Sequence, residues 1–385
     1  MNFNLTSEQE MLRNAVREFA EGEIAPQAEH LDRKEEFSYE LTKKMAELGL
    51  FGITVDPKYG GQGMDYLSYI IAVEELARVD ASQAATVAAA NSLGSSPIYK
   101  FGNEKQKKKY LPDLCSGKRL WAFGLTEPDA GSDAGATKTT AEFKHGKWII
   151  NGSKIFITNG ATEITSGITV QTSTGKRADG RKELSCILVE TTAKGLTRRA
   201  MHNKMVWRAS NTAEIYFDNV EVPEDHILGN RDEGFHQMLD TLDSGRLAIA
   251  AMGLGGAQGA YEMALKYAKE RKQFGKPIST FQVNAFKLAD CAVEIEAARW
   301  LLYRTCWLKN QGKAYSKEAA MAKLYCSEVM HRVVNHAVQL HGGYGLMEEY
   351  KIERFYRDQK LLEIGEGTSE IQRIVISRAI GCYDM

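Results

Sequence analysis

Apolar residues fall at helical intervals at the start of the chain and again from Phe235 to its end, with a stretch of different rhythm between them. Leu12, Ala15, Val16 and Phe19 repeat at three- and four-residue spacing. Ser7 followed by Glu10 reads as a capping box at the start of that helix, and Gly22 and Pro26 mark its exit. Residues 67–78 and 81–93 keep the helical habit, with turns at Gly60-Gly61 and Gly63. From Trp121 to about Val222 the runs are short and rich in β-formers. His145-Gly146 lies between 139–144 and 147–150, and Asn151-Gly152 lies between 148–150 and 154–158. Both dipeptides predict hairpins, because a type I′ turn needs positive φ at two consecutive residues. Residues 167–171, 184–190 and 213–217 are further strands, 173–182 a polar loop, and Pro223-Glu224-Asp225 closes the region. Beyond it Tyr261, Ala264, Leu265 and Ala268 mark one helical face, and Ile371, Ile374, Val375 and Arg378 another. The pattern predicts a multi-domain α+β protein: helical over 1–120, β over 121–234, helical over 235–385.

Composition narrows the class. The 385 residues carry a net charge of −1, with 43% hydrophobic and 26% charged residues, the balance of a globular protein with no phosphate-seeking surface. No nucleic-acid partner is expected. Cys115, Cys186, Cys291, Cys306, Cys326 and Cys382 form no C-x-x-C pair, as in a reduced intracellular protein. The N-terminal sequence lacks a signal region, and the longest apolar run, near 247–257, is too short to span a bilayer. A cytoplasmic location without membrane insertion is expected.

Several conspicuous features have plain structural readings. Gly253-Leu254-Gly255-Gly256-Ala257-Gln258-Gly259 mimics a nucleotide loop, but no alternating strands and helices surround it, so close helix packing is expected. His331, His336 and His341 are five apart and share no helical face, which argues against a metal site. Residues 105–109 (KQKKK) suit a solvated helix face. The carboxylates of Thr126-Glu127-Pro128-Asp129 serve equally well as turn formers or as acids.

Three segments are harder to explain by packing. Residues 125–135 (LTEPDAGSDAG) offer backbone N–H groups and hydroxyls to a flat, hydrogen-bonding ligand. Residues 154–160 (KIFITNG) alternate so that Phe156 and Thr158 share a face, an aromatic beside a hydroxyl. In residues 363–372 (EIGEGTSEIQ), Glu366 stands between two glycines just before a helix that starts at Thr368 or Ser369. An acid there can complement a helix dipole, or it can act on a ligand that the glycines let approach.

Together these segments resemble the acyl-CoA dehydrogenases over nearly the whole chain. LTEPDAGSDAG, KIFITNG, ERKQFGKP, QLHGGYG and EGTSEIQ occur in that family's order and spacing. The resemblance implies an N-terminal helical domain, a middle β-barrel domain and a C-terminal four-helix bundle, with FAD as cofactor. It implies that Phe123, Leu125, Thr126 and Ser132 contact the flavin, Ser132 also lying near substrate, while Phe156 and Thr158 pack on and bond to the isoalloxazine. Arg271, Phe274, Gln282, Gln339 and Gly343 correspond to groups that reach a neighbouring subunit's FAD, which implies a homo-oligomer, a tetramer in most relatives. Thr368 and Glu370 would lie along the diphosphate or adenosine. Asp243, Arg246, Gly365, Gly367 and Arg378 would meet the acyl-CoA. Glu366 would take the α-proton while the β-hydrogen leaves as hydride to flavin N5, giving a 2-enoyl-CoA. The enolate oxygen would be held by the Glu366 N–H and a ribityl hydroxyl. Some relatives carry the base at the position of Gly245, which cannot serve here. Enclosure by substrate is expected to raise the Glu366 pKa against a small opposing effect of the helix terminus. An electron-transferring flavoprotein is the implied partner.

The chain departs from the family at Gly365, where most relatives have Tyr or Leu. With the alanine-rich segment 84–92, this suggests a wide, short pocket for a branched or alicyclic acyl group such as cyclohexanecarboxyl-CoA. The segment 84–96 holds no arginine for the distal carboxylate of glutaryl-CoA. Val206-Trp207-Arg208 also departs from the commoner Gly-Met/Ile-Arg. Competing readings are an acyl-CoA oxidase, an enoyl-CoA reductase-direction relative, and an FAD-containing DNA-binding relative, which the net charge disfavours. A nicotinamide dehydrogenase is disfavoured by the missing β/α alternation.

Overall fold

The computed structural model describes residues 4–383. Helices α1 (Ser7–Phe19), α2 (Ala28–Lys34), α3 (Tyr39–Glu47), α4 (Tyr66–Ala77), α5 (Ala81–Ala89), α6 (Ser96–Phe101) and α7 (Glu104–Cys115) come first. π-helical turns over Ala20–Ile24 and Ala90–Ser95 continue α1 and α5. The first capping box is one residue earlier than Ser7/Glu10 predicts. Thr6 is the cap (φ −70°, ψ 161°), accepting from the Gln9 N–H while the Gln9 side chain accepts from the Thr6 N–H. Thr6 is the last extended residue, and Ser7 is already helical, so only Thr6 can cap.

Strands β1 (Leu120–Gly124), β2 (Thr140–Lys144), β3 (Lys147–Thr158), β4 (Thr165–Lys176), β5 (Lys182–Glu190), β6 (Leu196–Ala200) and β7 (Thr212–Pro223) form one seven-stranded sheet. The expected barrel takes the form of a curled sheet. β4 pairs with β5 on one side and with β1 and β2 on the other, and β3, β7 and β6 follow from β2. The His145-Gly146 hairpin forms as predicted, with φ of 51° and 76°. The Asn151-Gly152 hairpin does not. β3 runs straight through it, the register slips between Ile150 and Gly152, and only Gly152 has positive φ (143°). One positive φ cannot reverse a chain but does make a bulge. Gly152 is needed there because a Cβ would press on Thr139, 2.6 Å from its Oγ1. The predicted loop 173–182 is also shorter, since β4 and β5 pair out to Lys176 and Lys182.

The last domain holds α8 (Gly234–Glu270), α9 (Gln282–Asn310), α10 (Ser316–His341), α11 (Ile352–Ile364) and α12 (Ser369–Ala379). A two-residue hairpin, β8 (Lys272–Gln273) and β9 (Lys276–Pro277), separates α8 from α9 and escapes the helical pattern, being too short to alternate. The glycine row of α8 is a packing device, as expected. A Cβ on Gly255 or Gly259 would strike the carbonyls of Glu74 and Arg78 at the end of α4. One on Gly253 or Gly256 would meet Cys326 or Met330 of α10. The close approach buries Leu247, Ala250 and Leu254 completely, each leucine contributing about 1.5–3 kcal/mol.

Lys105 and Lys109 of the basic run pair with Asp225 and Glu190 at the edge of the sheet domain. His331 pairs with Glu363 at 2.8 Å, and His341 stacks on Tyr267. Among the described residues no cluster of metal-ligating side chains occurs, and no helix is long and apolar enough to cross a membrane.

Candidate active site

Glu366 lies in the turn between α11 and α12. It holds φ 53° and Gly367 holds φ 92°, so the chain makes two left-handed steps in a row. The turn ends at Thr368, whose hydroxyl caps α12 by accepting from the Ile371 N–H. This geometry carries the Glu366 carboxylate to α8, opposite Gly245. A Cβ on Gly245 would overlap Glu366 Oε2. That oxygen is buried without a hydrogen-bond partner. Burial pushes the Glu366 pKa up to about 7, against the opposing charges of Lys323 and Arg246. Among the described residues the Glu366 N–H donates to no protein acceptor.

Behind Gly245, Tyr66 donates to the Ser244 carbonyl at 2.6 Å. The half-buried Lys309 donates to Ser244 Oγ at 2.5 Å and to the Tyr315 hydroxyl at 2.9 Å. Tyr69 donates to the Ala88 carbonyl of α5 at 2.8 Å. Ala84, Ala85, Ala88, Ala89 and Ala90 are all buried there. Asp243 and Arg246 form an ion pair one turn apart on α8. A Cβ on Gly365 would lie 2.9 Å from Leu361 Cδ2, the tip of a flexible side chain.

The sheet domain presents the second surface. Lys154, fully buried, donates to the Leu125 carbonyl (3.0 Å) and to Glu127 Oε1 (2.7 Å), while Glu127 accepts from the N–H groups of Lys138 and Thr139. Glu127 is thus an anchor for the 125–135 loop and not an acid for chemistry. The Ile155 N–H donates to the Thr126 carbonyl at 3.0 Å, which brings Leu125 and Thr126 beside Phe156 and Thr158. Phe156 sits on a bulge with φ 59° and is 62% exposed. Simple alternation cannot bury both Lys154 and Ile157. The bulge does so, leaving Phe156 and Thr158 on the outward side of Ile157. Asn159 then ties the end of β3 to α5 through the Thr86 carbonyl (3.2 Å). Ser132 is exposed in the loop, Phe123 is buried beneath it, and Gly135 lies near Phe235 at the start of α8. An exposed aromatic held on strained backbone beside hydroxyls and free loop amides fits a flat heteroaromatic group.

Other predicted residues gather elsewhere. Arg271, the C-cap of α8, lies 26 residues beyond Gly245, about 39 Å along the helix. Arg271 and Gly343 line a cavity of about 650 Å³. Phe274, at φ 51° in the β8–β9 turn, is 93% exposed and meets Phe281 edge-on, directly before Gln282. Gln339 is exposed, its carbonyl accepting from the Gly342 N–H at the end of α10. Glu370 is exposed in the first turn of α12, where helix-terminal hydrogen bonds hold its pKa down. Arg378 is exposed at the far end of α12, away from the Glu366 turn.

Trp207 has a structural account. Its backbone N–H donates to Asp358 at 2.7 Å, and its ring is buried in the main core, where the indole N–H meets no acceptor among the described residues. The sequence reading missed Lys323 and Gln372, both fully buried beneath the Glu366 turn. The signal for Lys323 is a lysine on the apolar face formed by Ala319, Ala322 and Cys326.

Three family models match in succession: Acyl-CoA dehydrogenase, N-terminal domain (6–118), middle domain (122–220) and C-terminal domain (232–381). The chain is 51% identical to the probable acyl-CoA dehydrogenase YngJ of Bacillus subtilis, covering 99% of this chain and 100% of that one. It is 46% identical to a short-chain specific acyl-CoA dehydrogenase of Clostridium acetobutylicum, with the same coverage. Among solved structures, butyryl-CoA dehydrogenase from Megasphaera elsdenii superposes with a TM-score of 0.95 at 42% identity, covering 99% and 100% of the two chains. A chain solved in work on the electron transferring flavoprotein of Acidaminococcus fermentans gives 0.95 at 46%, covering 99% of each. An acyl-CoA dehydrogenase from Bacillus anthracis complexed with FAD gives 0.91 at 34%, covering 98% of this chain and 68% of that one.

Proposed function

The chain belongs to the acyl-CoA dehydrogenase family of oxidoreductases, and on that premise we propose that it holds FAD and desaturates a short acyl-CoA thioester between the α and β carbons, with Glu366 as the base. The carrying observation is the unpartnered Glu366 Oε2 aimed at the bare backbone of Gly245. Leu125, Thr126, Ser132, Phe156 and Thr158 would hold the flavin ring, and Thr368 and Glu370 its distal part. Bound FAD would accept the β-hydrogen as hydride. The protein does the rest. Glu366 takes the α-proton, and a pKa near 7 makes it a far better base than an exposed carboxylate while leaving it ionised at mildly alkaline pH. The Glu366 N–H, free of protein acceptors, can donate to the thioester oxygen as charge develops there. Arg246 and Asp243, with Gly367, border the thioester side.

The buried alanines of α5, closed beneath by Tyr69, support an acyl group that is short, with room for a branch or an alicyclic ring. Arg271, Phe274, Gln282, Gln339 and Gly343, lying far from Glu366 within one chain, would complete the FAD site of a neighbouring subunit. An electron-transferring flavoprotein is the proposed electron acceptor, a reading supported by the structural relative solved in work on that protein. The test is anaerobic bleaching of the bound flavin by a series of acyl-CoA thioesters. Butyryl-CoA and cyclohexanecarboxyl-CoA should both bleach it, and acyl chains beyond about eight carbons should fail. If butyryl-CoA exceeds the alicyclic substrate more than tenfold in kcat/KM, the roomy-pocket part is wrong. Bleaching by none of the series contradicts the activity.

A further inference from the structure

We infer that Lys323 is a positioning residue for Glu366: from α10 its ammonium pins the Gly367 carbonyl and keeps a buried positive charge beside the acid. The inference rests on Glu366 being the base. A non-glycine residue in the left-handed region is strained, so the Glu366-Gly367 turn must be held by its surroundings. Three side chains hold it. Lys323 Nζ donates to the Gly367 carbonyl at 2.8 Å. Gln372 Nε2 donates to the same carbonyl at 2.9 Å and to that of Glu366 at 3.3 Å. Ser327, one turn beyond Lys323 on α10, donates to the Leu362 carbonyl at 3.0 Å, near the end of α11. One helix thus grips the chain on both sides of Glu366.

Gln372 and Ser327 could do this work as neutral groups, and so could a third neutral donor. Instead position 323 carries a lysine with no exposure to solvent, a costly choice for a hydrogen bond alone. Among the described residues no carboxylate lies within ion-pair distance of Lys323. Burial pulls the Lys323 pKa down to about 8, so the ammonium still prevails at neutral pH; Glu366, Glu363 from α11 and Glu370 from α12 favour it, and Arg246 from α8 opposes it. Glu366 in turn faces Lys323, Arg246 and the phenols of Tyr66 and Tyr69 on α4. Burial alone would drive Glu366 toward its protonated form, useless as a base. The ammonium opposes that drift and keeps the acid ionisable near neutrality, consistent with its pKa of about 7.

The test follows flavin reduction by butyryl-CoA across pH in stopped flow, for the wild type, Lys323→Met, Lys323→Arg, Ser327→Ala and Glu366→Gln holoenzymes, with flavin content and Tm recorded. Loss of the charge should move the acid limb of the rate profile up by about one unit or more and cut the rate at pH 7 about tenfold. Lys323→Arg should restore most of the shift. Ser327→Ala should slow the reaction without moving the limb, which separates a grip on the turn from an electrostatic role. Should Lys323→Met fail to fold or to keep flavin, Lys323→Gln retains a donor without charge and reads the same limb. An unmoved limb in the neutral variant overturns the inference. Glu366→Gln separates the two assignments: wild-type turnover there removes the base, whereas an inactive Glu366→Gln with an unmoved limb at position 323 removes only Lys323.

Discussion

At the scale of single residues, the site depends on what glycine leaves out. Gly245 has no side chain, and Glu366 Oε2 occupies the place one would take. Gly245→Ala should therefore push the carboxylate aside, and a displacement of about 1 Å is worth roughly a hundredfold in rate. Steady-state kinetics with flavin content unchanged would check this, and near-normal kcat would show that the carboxylate works from another position. Asp358 offers a test of a different kind. It is buried, accepts the Trp207 N–H, and its pKa is pushed up to about 7 by burial. Because folding raises this pKa above the unfolded value, the native state binds the proton more tightly, and stability is lost as pH climbs from about 4 to about 7. Asp358→Asn should remove that loss. The Tm of the variant minus that of the wild type should rise between pH 5 and pH 8, and a flat difference would contradict the assignment. Glu366 stood out in the sequence as a glycine-flanked acid before a helix cap, and the family resemblance, not the local pattern, chose a catalytic role over a helix-dipole one. Lys323 was not, because one lysine in a long amphipathic pattern reads as a face boundary until its burial is seen.

Secondary-structure elements show where local chemistry decides and where it is overruled. His145-Gly146 and Asn151-Gly152 look alike in sequence, yet the first turns the chain and the second is a bulge within β3. The difference is tertiary. β3 continues to pair with β7 on both sides of Gly152, so the strand bonds outweigh the turn preference. Phe156 likewise departs from alternation because Lys154 must point inward to meet Glu127. That buried pair anchors the loop that would carry the flavin. Lys154→Met should strand Glu127 without its partner and destabilise the protein by about 3–5 kcal/mol. Flavin should be lost before global unfolding, and measuring flavin retention and Tm together would reveal it. A variant as stable as the wild type and fully loaded would mean the loop is held by its backbone bonds alone.

For the whole molecule, the order helices, sheet, helices was legible because a change of hydrophobic period needs no tertiary information. The proposed assembly rests on the resemblance, since no local pattern in the sequence points to it. In the structure Phe286, Val293, Trp300 and Trp307 are exposed at seven-residue intervals on α9, one nearly straight stripe along the helix. With the Arg271 group about 39 Å along α8 from Gly245, a second copy seated on this stripe is the arrangement that suits a shared FAD site. Phe286→Glu with Trp307→Glu should shift the protein to a smaller species in analytical ultracentrifugation and weaken flavin retention. Unchanged sedimentation would place the interface elsewhere. The proposed chemistry turns on the proton leaving the α carbon, and Glu366→Gln tests that step most directly. In anaerobic stopped flow with butyryl-CoA, the variant should bind flavin and substrate yet reduce the flavin more than about a thousandfold more slowly than the wild type. Flavin reduction at a rate close to the wild type would show that another group takes the proton.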